Sequence, residues 1–425
     1  MKSSDISIAV IGLGYVGLPL SIEFSKKYDV VGFDKNHIRI NQLKRNEDIT
    51  KEITKKQISN AKNISFTTKE KDISECNVFV ITVPTPITKN KKPDLTSLKN
   101  ASKLVARVLK KGDYVIYEST VYPGCTEEVC LPLLERHSKL ILNKDFFLGY
   151  SPERINPGDK NRSLTKIIKV TSGSNKKAAD SINKLYASII DAGTHMAESI
   201  KIAEAAKVIE NTQRDLNIAL MNELAIIFDK MGINSRSVFE AAKTKWNFLD
   251  FKPGLVGGHC IGVDPYYLTH KAQMLNHNPK VILAGRSMND SMSQKIGKRI
   301  IKELNQRKIQ IDAAKVLILG VTFKENCPDI RNSKALELIT YLTKKIKNIS
   351  VCDMHASKSE LKKEHQISLL RTVPTTKKFD CILILVEHKE FKSLPIKKLH
   401  SMKSENGFIF DIKNTFDTKF VDINL

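Results

Sequence analysis

Residues able to react covalently are concentrated in one glycine-rich stretch, Gly254-Leu-Val-Gly-Gly-His-Cys-Ile-Gly-Val-Asp-Pro-Tyr-Tyr267, which places the thiol of Cys260 four residues before the carboxylate of Asp264. Glycines at 254, 257, 258 and 262 permit positive φ and let a ligand come close to the backbone, so the stretch reads as a contact loop. A thiol there is a nucleophile when a nearby cation or helix N-terminus favours the thiolate, and Asp264 could hold a water or a lysine beside it. The competing reading is a buried cysteine acting as a small hydrophobe.

A second set of polar groups interrupts an otherwise apolar pattern. Between Ser199 and Met231, Ile202, Ala206, Ile209, Leu216, Leu220, Leu224, Ile227 and Met231 recur mostly at three- and four-residue steps, which predicts one long helix. Lys207 and Asn211 are four apart and share a face of it. The run Glu210-Asn-Thr-Gln-Arg-Asp215 is expected to form a wet site facing the cysteine loop. So long a helix spans two domains or pairs with a copy of itself, giving a homodimer. A third set lies on Ser151-Pro-Glu-Arg-Ile-Asn-Pro-Gly158, which carries Glu153 and Arg154 either as site residues or as an exposed ion pair.

The elements that must position these groups begin with Ile6–Ile11, a strand running into Gly12-Leu-Gly14-Tyr15-Val16-Gly17 and then a helical pattern to Phe24. A second strand, Asp29–Phe33, ends at Asp34. This is the dinucleotide-binding context. Gly12 permits the turn, Gly14 admits a pyrophosphate, Gly17 lets helix pack on sheet, and the helix N-terminus stabilises the phosphate charge. Asp34 can accept hydrogen bonds from both ribose hydroxyls and repels a 2′-phosphate, favouring NAD over NADP. Arg39 has three readings: stacking on adenine, neutralising a 2′-phosphate, or a solvated helix charge. Strands at Asn77–Thr82, Tyr114–Tyr117 and Phe146–Tyr150 follow, and Thr85 and Thr120 lie just beyond carboxyl ends, where open parallel sheets bind ligands.

A further set of strands, at Lys315–Gly320, Ile349–Cys352, Asp380–Val386 and Phe408–Ile412, predicts a smaller parallel sheet without GxGxxG. Lys324 and Arg331 follow its first strand and could reach an anion, while Ser333 suits the N-cap of the next helix. The fold class expected is α/β, two Rossmann-like doubly wound domains joined by a central long-helix region, divided as residues 1–198, 199–304 and 305–425.

Composition narrows the function. The 425 residues, 41% hydrophobic and 27% charged, describe an ordinary globular chain of two or three domains. The net charge of +23 would favour polyanions, but the lysines are spread without an arginine-rich stripe or basic amphipathic helix, so nucleic-acid binding is not expected. Seven scattered cysteines without a CxxC pair argue against disulfides or zinc and for a reducing cytoplasm. The apolar run Ile8–Leu20 is broken by glycines, and no stretch reaches membrane-spanning length.

Taken together these motifs resemble the nucleotide-sugar 6-dehydrogenase family, the UDP-glucose and GDP-mannose dehydrogenases, over essentially the whole chain. Thr244-Lys-Trp-Asn-Phe248, the cysteine loop and Ser151–Gly158 are similar to the bacterial UDP-N-acetylglucosamine or UDP-N-acetylgalactosamine 6-dehydrogenases of surface-polysaccharide synthesis, with UDP-glucose, UDP-N-acetylmannosamine and GDP-mannose as alternative substrates. The resemblance implies an N-terminal NAD domain, a helical dimerisation centre and a C-terminal UDP-sugar domain. It implies a four-electron oxidation at C6 with two NAD⁺, through a thiohemiacetal and a thioester on Cys260. By the same matching, Lys207 and Asn211 stabilise the oxyanion, Asp264 orders water, Glu153 and Thr120 activate it, Gly257, Arg154 and Lys324 contact substrate, and Arg331 contacts cofactor. Lys413 stands where the family commonly has arginine, which replaces a bidentate contact by a point charge. His259 and Arg154 differ from the UDP-glucose branch and bear on which sugar fits.

Overall fold

A computed structural model describes residues 6–154, 163–258 and 260–425. The chain forms two compact units, residues 1–210 with 266–278, and residues 211–265 with 279–425. The first holds a six-stranded sheet of β1 (Ser7–Ile11), β2 (Asp29–Phe33), β3 (Ile64–Thr67), β4 (Val78–Ile81), β5 (Tyr114–Tyr117) and β6 (Phe147–Tyr150), together with the short pair β7 (Lys169–Thr171) and β8 (Thr194–Met196). Spatial order is β3-β2-β1-β4-β5-β6 with every neighbour parallel, the doubly wound order that reverses between β1 and β4. The continuous apolar runs explain it. All four residues of β4, Val-Phe-Val-Ile, are fully buried, as a strand covered by helices on both faces requires.

The second unit repeats the topology with β9 (Lys315–Leu319), β10 (Asn348–Cys352), β11 (Leu369–Leu370), β12 (Phe379–Ile384), β13 (Lys403–Asp411) and β14 (Ile423–Asn424) in the order β11-β10-β9-β12-β13-β14, again all parallel. Its sheet is packed on both faces: Val316, Ile318, Leu383 and Phe410 point into one apolar cluster, Leu317, Leu319, Ile382 and Ile409 into the other. Burying each such side chain contributes about 1.5–3 kcal/mol.

The predicted long helix is a single 31-residue element, Ile200–Lys230. Sequence reading missed β3, β7, β8, β11 and β14, which are two to four residues long and lie at sheet edges or in the small pair. Ser333 occupies the N-cap position of helix Lys334–Thr343, but its hydroxyl donates instead to the Val321 carbonyl, 2.7 Å away.

Candidate active site

In the first unit the turn after β1 is shaped for a dinucleotide. Gly12 has φ +98°, and Thr82 Oγ1 donates to its carbonyl at 2.6 Å. A Cβ on Gly17 would stand 1.8 Å from that same oxygen, so helix Gly17–Phe24 can pack only on glycine. A Cβ on Gly14 would meet nothing within 4 Å, so the turn that Tyr15 and Val16 complete has an open side with room for an anion to approach the backbone. Asp34 is locked at the end of β2, accepting from Leu13 N at 3.0 Å and Asn36 N at 2.9 Å. Arg39 is not a solvated charge. It is 6% exposed, its Nε donates to the Leu13 carbonyl at 2.9 Å, and its Nη2 lies 2.9 Å from Asp48, tying the glycine turn to the loop beyond helix His37–Lys44.

Beyond β4 and β5 the two threonines singled out from sequence meet: Thr85 Oγ1 donates to the Thr120 carbonyl at 2.7 Å. Glu153 and Arg154 do not form an exposed ion pair. Arg154 pairs with Glu210, and Glu153 is 7% exposed with its Oε2 3.1 Å from the buried ammonium of Lys169. Lys169 also donates to Glu118 at 2.8 Å, and Tyr186 donates to the other Glu118 oxygen. Burial pushes Glu118 above the usual carboxylate range, with Lys169 offsetting part of the rise. Burial alone would lower Lys169, but Glu118 and Glu153 outweigh it and raise the ammonium. Lys207 is buried on the long helix. One turn earlier Glu204 accepts the N–H groups of Gly124 and Thr126, and burial pushes it to about 7 despite those bonds.

In the second unit the cysteine loop is clamped at its start. Asn222 accepts from Gly254 N at 2.7 Å and donates to Gly254 O at 3.1 Å. Gly258, at φ +86°, faces the Phe323 ring, where a Cβ would stand 2.6 Å from Cδ2, and a Cβ on Gly257 would meet the Asn332 carbonyl at 2.6 Å. Glycine at both positions is therefore a packing requirement. Cys260 is half-buried whereas the other six cysteines are buried, and its carbonyl accepts from Asp264 N at 2.9 Å at the start of helix Asp264–Met274. Asn211 Nδ2 donates to Asp264 Oδ2 at 2.5 Å with both residues buried, so two residues picked out separately in the sequence form one pair.

The polar run Glu210–Asp215, expected to be wet, is split: Gln213 and Arg214 are exposed and Glu210 half-buried. Asn211, Thr212 and Asp215 are buried, and Asp215 pairs at 2.6 Å with Arg286, itself 2% exposed. Arg286 also reaches Asp290, and Asn289 links Asp215 to Asn222. Asn222, Asn289 and Arg286 support the cysteine loop and were passed over in the sequence, where nothing marks them apart from other polar helix residues.

Beside the loop, a cavity is lined by Leu255, Gly257, Thr322, Lys324, Ser333 and Lys413. Lys334 and Glu325 line it too, and three lysines against one carboxylate suit a phosphorylated ligand. The turn after β9 mirrors the one after β1: Gly320 has φ +90°, and Asp353 at the end of β10 accepts from Val321 N at 2.8 Å. Here, however, His388 closes the turn. Its Nδ1 accepts from Asn326 N, leaving Nε2 to donate to Asp353 at 3.0 Å. Burial raises Asp353, but the His388 contact and the backbone donors overcome this and hold it at about 2. Arg331 is half-exposed and bidentate to Asp329. Trp246 is 98% exposed. His259 and the loop residues 155–162 lie outside the described residues.

Comparison with known proteins gives a consistent picture. Residues 6–190, 201–291 and 317–418 match, in turn, the NAD binding domain, the central domain and the UDP binding domain of the UDP-glucose/GDP-mannose dehydrogenase family. The chain is 52% identical to a UDP-N-acetyl-D-glucosamine 6-dehydrogenase of Pseudomonas aeruginosa over 99% of its length and 100% of that protein's. It is 50% identical to one of Salmonella typhi over 99% of both. Among solved structures, a UDP-D-ManNAc dehydrogenase from Pyrococcus horikoshii superimposes with a TM-score of 0.88 at 31% identity, covering 97% of this chain and 96% of that one.

Proposed function

The chain belongs to the UDP-glucose/GDP-mannose dehydrogenase family and is an NAD-dependent nucleotide-sugar dehydrogenase; from that premise we propose that it oxidises C6 of a UDP-N-acetylhexosamine, UDP-GlcNAc or UDP-GalNAc, to the carboxylate for surface-polysaccharide synthesis. The observation that carries the mechanism is the half-buried Cys260 on a loop whose glycines and Asn222 clamp fix its backbone, with Asn211–Asp264 joined at its C-terminal end. Bound NAD⁺ supplies the hydride acceptor for each of two oxidations. Gly12, Gly14, Tyr15, Val16 and Gly17 would hold its pyrophosphate and Asp34 its ribose, Thr85, Thr120 and Arg331 would complete its contacts, and the buried Arg39 braces the turn through the Leu13 carbonyl and Asp48.

The chain's own residues do the rest. Cys260 Sγ adds to the C6 aldehyde to give a thiohemiacetal, whose oxidation leaves a thioester. Lys207 and Asn211 donate to the oxygen that bears the developing charge. Asp264 orders a water, and Glu153 with Thr120 takes its proton as it attacks the thioester. Lys324, Gly257 and Arg154 hold the UDP-sugar, with Lys413 as a point charge on a phosphate. The proposed organisation is 1–198 for NAD, 199–304 for the central region and 305–425 for UDP-sugar.

A homodimer through the long helix is part of the proposal. Ile202, Ile209, Leu220 and Ile227 are each 44–53% exposed, and their steps of seven and eleven residues keep them on one helix face. No described helix is long and apolar enough to cross a membrane, and we place the activity in the cytoplasm. The test is NADH release against UDP-GlcNAc, UDP-GalNAc, UDP-N-acetylmannosamine, UDP-glucose and GDP-mannose. A hexosamine should give two NADH per substrate and a kcat/KM well above UDP-glucose, because a pocket built for the acetamide leaves polar groups unpaired without it, worth about 1–3 kcal/mol per lost buried hydrogen bond. Equal use of UDP-glucose would reassign the substrate.

A further inference from the structure

Lys169 is a cation buried where its neighbours cannot both be satisfied without it. It opens β7 with its side chain 4% exposed, Nζ lying 2.8 Å from Glu118 Oε2 and 3.1 Å from Glu153 Oε2. Its Nζ also sits 5.2 Å from the centre of the Tyr186 ring, whose hydroxyl donates to Glu118. The backbone around this contact is held as well. Ser151 Oγ donates to Val170 O and Ser172 Oγ to Tyr150 O, each at 2.7 Å, so the strand bearing Lys169 is stapled to the segment bearing Glu153. Glu153 Oε1 in turn accepts from Arg154 N. Each Glu153 oxygen is therefore gripped by a donor, one from the Arg154 backbone and one from Lys169.

We propose that Lys169 is a positioning residue for Glu153, holding that carboxylate in the one orientation from which it can take a proton from water. The inference rests on the reading of Glu153 as the group that activates water on the thioester. In that step the water oxygen bonds to the thioester carbon and its proton passes to Glu153. The C–S bond then breaks and sulfur leaves as the Cys260 thiolate, which recovers the proton from Glu153, while the product acid releases its own proton to solvent. No electron moves to NAD⁺, so the step is separable from both hydride transfers. Displacing a reacting group by about 1 Å costs on the order of 10²-fold in rate, and removing Lys169 takes away the donor that fixes Glu153 Oε2.

The test is rapid-mixing NADH absorbance joined to intact-protein mass spectrometry on Lys169→Met, Lys169→Arg and Glu153→Gln. With Lys169→Met the NADH burst, two per subunit, should keep its rate to within about threefold, while steady-state turnover falls by about 10²-fold and a covalent sugar adduct accumulates on Cys260. Lys169→Arg keeps the charge but not the geometry, and should show the same split at about tenfold. It decides the matter alone if Lys169→Met does not yield folded protein. Glu153→Gln should reproduce the split. If it does so while the Lys169 variants slow burst and steady state alike, or slow neither, Lys169 is structural only and the inference is overturned. If Glu153→Gln itself turns over at the parent rate, the assignment of Glu153 has failed and takes the inference with it.

Discussion

Substituting Arg286 by methionine removes the cation from the network under the cysteine loop while keeping similar bulk. Asp215 would stay fully buried, with Asn289 Nδ2 still donating to its Oδ1 at 2.8 Å. Removing one partner of a buried pair costs about 3–5 kcal/mol, because the other charge is left uncompensated. For a unit of roughly two hundred residues this lowers Tm by on the order of 10 °C. The deficit should depend on pH with a defined sign. Burial already pushes Asp215 above its ordinary value, and Arg286 offsets part of that rise; without Arg286 the folded-state pKa climbs further. A carboxyl raised on folding contributes stability that is complete below its unfolded pKa of about 3.9 and lost as pH rises through the folded value. The variant's deficit relative to the parent should therefore be smallest in acid and grow toward neutrality. Thermal or urea unfolding between about pH 4.5 and 8 reads this, and adding Asp215→Asn to Arg286→Met should restore much of the loss. A deficit under about 1 kcal/mol, or one that fails to shrink in acid, would refute the buried-pair reasoning.

Two further outcomes are expected from the cofactor turn and the thiol. The unmodified enzyme should prefer NAD⁺ to NADP⁺ by a large margin in kcat/KM, and Asp34→Ala should narrow it about tenfold or more while weakening NAD⁺ binding, since Asp34 also holds Leu13 N; comparable use of both cofactors by the parent overturns the assignment. Cys260→Ala should form no covalent adduct and no carboxylate, whereas Cys260→Ser should bind both ligands and stall or accumulate an oxygen ester. Near-normal carboxylate production by Cys260→Ala would make the thiol structural.

Much of the fold was written locally. The run Ile8–Ile11, the glycines at 12, 14 and 17 and the acid at 34 specify a strand, a turn of positive φ and a helix within a few residues of one another, and the structure shows each of them. The long helix and the four principal strands of the second sheet were equally legible, because hydrophobic period is a property of adjacent residues. Edge strands of two residues carry too little pattern to be seen. The candidate site divides the same way. Cys260, Asp264 and their glycines announce themselves by type and spacing, but only packing shows that Gly257 and Gly258 are small because Asn332 and Phe323 press against them. Arg39 and Lys169 look like two more surface cations in a chain with 69. What makes them interior is the carboxylates that meet them: Asp48 for Arg39, and for Lys169 acids 16 and 51 residues away in sequence. A buried charge is tolerated only where an opposite charge is brought to it, and that partner is supplied by the tertiary fold rather than by any neighbour along the chain.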